Sequence, residues 1–191
     1  MAGEDKEGVL EALDAIRSKS SRGSRREPQD CGDIGLKIGR DGTWYYQNGR
    51  IERKPLVKLF ASVLRLEGDD RYYLVTPAEK VEVSVEDAPF LAVAMQRSGT
   101  GKDQRLSFHT NLDEAVEAGP DHPLSFRVEA NGGFTPYILV RDRLKARLTR
   151  PVYYELVAAG IAEGEEAQKQ PGVWSAGMFF PFPVPEGGQT C

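Results

Sequence analysis

Cysteine and histidine are almost absent: two of each stand in 191 residues, as Cys31, Cys191, His109 and His122. Their spacing forms no disulfide framework and no zinc-ligand set, so no metal is expected. Long apolar runs are missing as well. No stretch approaches the roughly 18 residues of a membrane span, and the opening "MAGEDKEGVLEALDAI" is acidic and lacks a continuous apolar core, so it does not read as a secretory signal. A cytoplasmic protein is the expectation. There is no excess of positive charge either: the net charge is −4 and the pI about 5.4. That argues against a dedicated nucleic-acid binder, whose affinity rests on Lys and Arg contacts to phosphate. What is present suffices for a packed core, with 40% hydrophobic and 28% charged residues.

Along the chain, "VLEALDAI" sets Val9, Leu10, Leu13 and Ile16 on one helical face, and "RSKSSRGSRREPQD" follows as a basic, solvated linker. Residues 1–30 are therefore expected to be an N-terminal amphipathic helix and flexible tether. In the next segment, Asp41-Gly42 and Asn48-Gly49 bracket "TWYYQ", which predicts a three-stranded meander with tight turns. Pro55 opens a helix carrying Leu56, Leu59, Phe60, Val63 and Leu64 toward the core, with Gly68 as its stop. "RYYLVT" is a strand. "KVEVSVED" alternates strictly, and "PFLAVAM" and "RLSFHTN" read as further strands.

The second half replays the first. "LSFRVEANGGF" is another Asn-Gly hairpin, "YILV" a strand, "RDRLKARL" and "RPVYYELVAAG" are helical with Pro151 in the first turn and Gly160 at the end, and "GVWSAGMFF" is a closing strand. The expected fold class is α+β, built from two related small units by hairpin-helix-strand duplication. The first occupies 31–78 and the second, larger one 79–191.

Reaction signatures are weak. "RSGTGKD" departs from a phosphate-binding loop, with Gln96 where Gly is needed and Asp103 where Ser or Thr would hold magnesium. "GVWSAG" departs from a nucleophile elbow at Val173, leaving Ser175 a strand residue. His109 is a lone strand histidine, and no catalytic carboxylate pair stands out. One feature breaks a local rule. Helix entries favour acidic or hydroxyl caps, yet here they read Arg53-Lys54-Pro55, Arg141-Asp142-Arg143 and Arg150-Pro151. Such cations are surface groups, or partners of a carboxylate such as Glu79 or Asp87, or the seat of a ligand phosphate.

The run "DGTWYYQNGRIERKPLVKLFASVLRLEGDDRYYLVTPAEKVEVSVEDAPFLAVAM", continued by "LSFHTN", "TPYILVRDRL", "RPVYYELV" and "GVWSAGMFFPF", resembles the uncharacterised bacterial family called domain of unknown function 1285. The likeness covers about Asp33 to Phe182. It implies two related structural units, the second superficially like a pleckstrin-homology domain, a ligand site at their interface for a nucleotide-like molecule, and a role in signal transduction. The polar motif positions are Arg53, Lys54, Thr76, Glu79, Lys80, Asp87, Thr110, Asn111, Tyr137 and Arg141. No catalytic residue and no cofactor come with it. The resulting expectation is a non-catalytic ligand-binding or sensory protein that takes a small anionic ligand, with Tyr137 as a stacking face and Glu79 or Asp87 as hydrogen-bond acceptors. The competing readings are a nucleotide-handling hydrolase and a protein-interaction module that engages a protein partner through the pleckstrin-like half.

Overall fold

The computed structural model describes residues 28–161 and 170–183. The N-terminal helix and nearly all of the basic linker expected over 1–30 lie outside the described residues, as does Cys191. The chain divides into two units: residues 1–38 with 43–85, and residues 39–42 with 86–191. The division falls at 85/86 rather than after 78, and the alternating strand at 79–85 belongs to the first unit.

In the first unit, strands β1 (Gln29–Ile38), β2 (Trp44–Tyr46) and β3 (Gly49–Arg50) form one antiparallel meander. Strands β4 (Leu64–Leu66), β5 (Tyr72–Val75) and β6 (Glu79–Val85) form another. Between them in sequence lies helix α1 (Lys54–Val63). The meanders join into one six-stranded sheet, ordered β3-β2-β1-β6-β5-β4, because β1 pairs with β6 in parallel. Period-two alternation puts Ile38, Trp44, Leu64, Leu74 and Val83 on one face, all nearly sealed from water. The helix covers that face with Val57, Phe60 and Ala61, the Trp44 and Phe60 rings lying 6.0 Å apart. Each Val, Leu, Ile or Phe side chain buried in this way contributes about 1.5–3 kcal/mol.

The second unit repeats this plan. Strands β7 (Phe90–Ser98), β8 (Arg105–Thr110) and β9 (Ala115–Glu117) make its first meander. Strands β10 (Leu124–Val128), β11 (Phe134–Arg141) and β12 (Leu144–Leu148) make its second. Again the first strand of one pairs in parallel with the last of the other, β7 with β12, and the sheet order is β10-β11-β12-β7-β8-β9. Helix α2 (Arg150–Ile161) and a hairpin of β13 (Gly172–Ser175) and β14 (Met178–Pro181) complete the unit. Val152, Leu156 and Ala159 of the helix are buried with Phe90, Ile138, Ala146 and Leu148 of the sheet. Gly160 is a helical residue here, not a stop. A Cβ on it would stand 2.6 Å from Phe182 Cε2 and 2.7 Å from the Gly172 carbonyl oxygen, so only glycine lets the helix approach the hairpin this closely.

The duplication is thus one of sheets, in a different register from the expected one. The turn at Asn48-Gly49 joins the second and third strands of its unit, whereas the turn at Asn131-Gly132 joins the fourth and fifth. The Pro55 helix sits between two meanders and the Pro151 helix after both, so neither turns nor helices correspond. The first turn is also displaced by one residue. Its two central residues are Gln47 (φ 46°) and Asn48 (φ 67°), a type I′ geometry with Gly49 already in β3.

Three local expectations fail for identifiable reasons. "RDRLKARL" is a hairpin, not a helix: Asp142 has φ 48°, and buried Leu144, Ala146 and Leu148 alternate with Lys145 and Arg147. Leu144 and Leu148 also suit a helical spacing, so the apolar pattern alone is ambiguous. Helix α1 ends at Val63, before Gly68, because Leu64 and Leu66 are taken into pairing with Leu74 and Tyr72; Leu59 is left 52% exposed. "GVWSAGMFF" turns at Ala176-Gly177 into two strands.

Ser175 fastens that hairpin to the sheet. Its hydroxyl is fully buried, donates to the Ala118 carbonyl at 2.7 Å and accepts from the Leu106 amide at 2.9 Å. Ser175→Ala is expected to cost about 2–3 kcal/mol in urea unfolding, since it orphans two buried backbone groups. A loss below about 0.5 kcal/mol would contradict this role.

Candidate functional site

The ten motif positions divide evenly between the units. In the first unit, Arg53 is the residue before α1, in extended conformation (φ −75°, ψ 96°) with no side-chain cap, and the first helical turn holds no acidic residue. Arg53 and Lys54 are exposed, and their side chains take no hydrogen bond or ion pair among the described residues. The Thr76 hydroxyl donates to the Glu79 carbonyl at 3.1 Å and accepts its amide at 3.0 Å, which ties the turn between β5 and β6. Lys80 places its ammonium 3.9 Å from the centroid of Tyr73.

In the second unit, Thr110 and Asn111 shape the turn after β8. The Thr110 Oγ1 accepts the amides of Leu112 (3.3 Å) and Glu114 (3.1 Å). Asn111 exchanges two bonds with the Leu91 backbone, at 2.9 and 3.0 Å. Arg141 closes β11 rather than opening a helix; it donates to Glu114 at 2.6 Å and lies 5.0 Å over the Phe90 ring.

Asp87 and Tyr137 are brought together, with partners the sequence did not reveal. The Asp87 side chain is 4% exposed. Its Oδ1 accepts from Tyr137 Oη at 2.7 Å and from Arg127 Nη1 at 2.9 Å. Around Oδ2 stand Arg147 Nε at 3.2 Å and Arg40 Nε at 3.7 Å. Neither Oδ2 nor Arg147 Nε has a directional hydrogen-bond partner among the described residues, so this side of the carboxylate is held by charge alone. Glu129 completes the cluster, accepting from Thr135 (2.7 Å) and Arg127 (3.3 Å).

Strand geometry explains the convergence. Ser125 faces Tyr137, Arg127 faces Thr135, and Tyr137 faces Arg147 across β10-β11-β12. These residues share the polar face, while Phe134 on the opposite face packs against Tyr153 of α2. Burial, then the bond to Asp87, pushes the Tyr137 phenol well above its ordinary range. The Thr135 hydroxyl, then Arg127, holds the Glu129 carboxyl below the usual carboxylate value. Tyr137 is itself 7% exposed with the Arg127 guanidinium 5.2 Å over its ring, so that face is already occupied.

The first unit carries a counterpart on the same strand of its second meander. Tyr73 donates to Asp69 at 2.8 Å beneath Arg71, which pairs with Asp69 and Glu82. Burial, then the Asp69 bond, pushes that phenol up to about 12.

The family models decide the affiliation. "Domain of unknown function (DUF1285), N-terminal domain" matches residues 24–88, and "Protein of unknown function (DUF1285), C-terminal domain" matches 89–182. The chain belongs to the DUF1285 family. The boundary between the two DUF1285 models at 88/89 falls three residues beyond the structural one at 85/86. Among solved structures, a DUF1285 protein from Silicibacter pomeroyi DSS-3 is 39% identical, with TM-score 0.77 over 91% of this chain and 95% of that one. A DUF1285 protein from Shewanella baltica OS155 is 29% identical, with TM-score 0.52 over 66% and 92%. No curated protein matches.

The other candidates acquire structural surroundings. His109 is half-buried on β8 between Ala94 and Ala115. His122 holds Nδ1 3.1 Å from the Leu139 carbonyl, which can only accept, so Nδ1 carries the proton. "RSGTGKD" ends β7 with Arg97 and Ser98 and then turns through one short 3₁₀ stretch at Gly101–Asp103 into β8. Among the described residues no group of three or more His, Cys, Asp or Glu is placed to hold a metal ion, and no helix is long and apolar enough to cross a membrane.

Proposed function

We propose that this DUF1285 protein is a non-catalytic ligand-binding or sensory protein whose second unit receives a small anionic, nucleotide-like ligand. The observation that supports this reading is the convergence of three guanidinium groups and a phenol on one carboxylate that is 4% exposed. A carboxylate offers about four lone-pair sites, and among the described residues Asp87 takes its directional bonds on Oδ1, from Tyr137 and Arg127. Arg127 is bonded to it at 2.9 Å and to Glu129 through Nε and Nη2, yet keeps 48% of its side-chain surface in solvent, and Arg40, 3.7 Å away, keeps 63%. Guanidinium groups gathered on one carboxylate, with N–H groups still facing solvent, can take an oxyanion through charge-assisted bonds. In the first unit, Arg53 and Lys54, uncapped and unpaired among the described residues, form a separate cationic element. A unit of six strands followed by a helix is what supports the pleckstrin-homology comparison and, with it, a part in signal transduction.

The test is thermal unfolding of the full chain with a panel of nucleotides and other phosphates at low ionic strength. A ligand at a hundred times its Kd adds about 2.7 kcal/mol, which for a chain of this size raises Tm by roughly 5–10 °C. The rise is expected to shrink with added salt, because the guanidinium groups face solvent, and to vanish in Arg127→Ala. A panel without any shift would overturn the reading, and phosphate release during incubation would favour an enzyme instead.

A further inference from the structure

Arg40 is the least committed member of the cluster at its head group and the most committed at its backbone. Its Nε stands 3.7 Å from Asp87 Oδ2, beyond a good hydrogen bond, whereas Arg127 and Tyr137 reach Oδ1 at 2.9 and 2.7 Å. Its amide, by contrast, donates to Glu86 Oε2 at 2.8 Å, and its carbonyl accepts from Arg147 Nη2 at 2.8 Å. Two residues on, Gly42 (φ 76°) lies so close to Asn111 that a Cβ would be 2.8 Å from Nδ2. Asn111 is in turn tied twice to Leu91. The main chain of 39–42 is therefore fixed while the Arg40 side chain remains 63% exposed. Withdrawing it leaves Asp87 with both of its directional donors.

We infer that Arg40 is the ligand-gripping arm of the second unit and that the group it grips is a phosphoryl dianion. The inference rests on the anion-binding reading above. On binding, Arg40 gives up its loose approach to Oδ2 and turns its paired N–H groups to the phosphoryl oxygens, beside the N–H groups that Arg127 does not spend on Asp87 and Glu129, while Arg147 and Tyr137 keep Asp87 in place. A carboxylate ligand offers two oxygens and one charge, whereas a phosphoryl dianion offers three oxygens and two charges to share between Arg40 and Arg127. A nucleoside has no comparable grip here, since the bonded phenol and the Arg127 overlay occupy Tyr137.

The experiment is calorimetric titration of the full chain with inorganic phosphate, adenosine monophosphate and adenosine at low ionic strength, on the unaltered protein and on Arg40→Ala, Arg40→Lys and Arg127→Ala. Phosphate and the monophosphate are expected to bind within about threefold of each other, and adenosine not at all. Arg40→Ala weakens both by ten- to a hundredfold, the range for losing charge-assisted bonds, with Tm unchanged in the absence of ligand. Arg40→Lys keeps the charge but not the fork and falls between. Equal affinity in Arg40→Ala, with a loss in Arg127→Ala, overturns the arm and leaves the anion-binding reading standing. No binding of phosphate or monophosphate to the unaltered protein overturns both. Adenosine binding as tightly as its monophosphate overturns the phosphoryl assignment.

Discussion

Replacing Asp87 with alanine is expected to cost about 3–5 kcal/mol, the range for removing one side of a buried ion pair. The carboxylate is 4% exposed and is the shared counter-charge of Arg40, Arg127 and Arg147. Without it three guanidinium groups repel one another across a polar face, and the buried Tyr137 hydroxyl loses its acceptor. Urea unfolding reads the loss directly, and the corresponding fall in Tm is roughly 10 °C. Asp87→Asn keeps the volume and an acceptor oxygen while removing the charge, so it should fall between alanine and the unaltered chain. A loss below about 1 kcal/mol in Asp87→Ala would mean that the arginines relax into solvent and that the cluster is not pinned by the carboxylate. Its pre-organisation would then disappear as an argument for ligand binding.

Val83→Pro is expected to be comparably severe, at upwards of about 4 kcal/mol. Val83 is 2% exposed on β6 and lies between Leu36 of β1 and Tyr72 of β5. Proline there removes the amide donor and forces a ring into a strand paired on both sides. Since β6 joins the two meanders of the first unit, the damage is predicted to spread to β1 and β2 instead of staying in β6. Amide exchange resolves this. Lost protection across Leu36–Ile38 and Trp44–Tyr46 is the expected pattern, and protection retained there would show that the meanders hold without the joining strand.

Much of the strand content was legible because alternation in "KVEVSVED" or "RLSFHT" is a local property that tertiary context had no cause to override. The duplication was legible as repetition but not in its register. Asn-Gly pairs and Pro-led helices are strong local signals, and they occur at non-equivalent places in the two sheets. What repeats is the pairing order, which no local motif records. The candidate cluster was half legible. Asp87 and Tyr137 stood within the motif runs that carry the family resemblance, whereas Arg127 gains its place only from facing Thr135 across two strands. Arg147 was hidden by the helical reading of "RDRLKARL", under which it could not share a face with Tyr137. Arg40 follows a strand of the first unit yet groups with the second, a placement fixed by contacts far away in sequence.

The parallel join between the first and last strands of each sheet sets an order of events during synthesis. As the chain emerges, β1 to β3 can form a meander early, but β1 keeps one side unpaired until β6 has appeared, and closing so long an interval is entropically slow. The same wait recurs between β7 and β12. Residues 39–42, made early, find their amide and carbonyl partners only when Glu86 and finally Arg147 exist. Arg40 is thus among the first residues of the cluster to be made, and its surroundings are among the last to be completed.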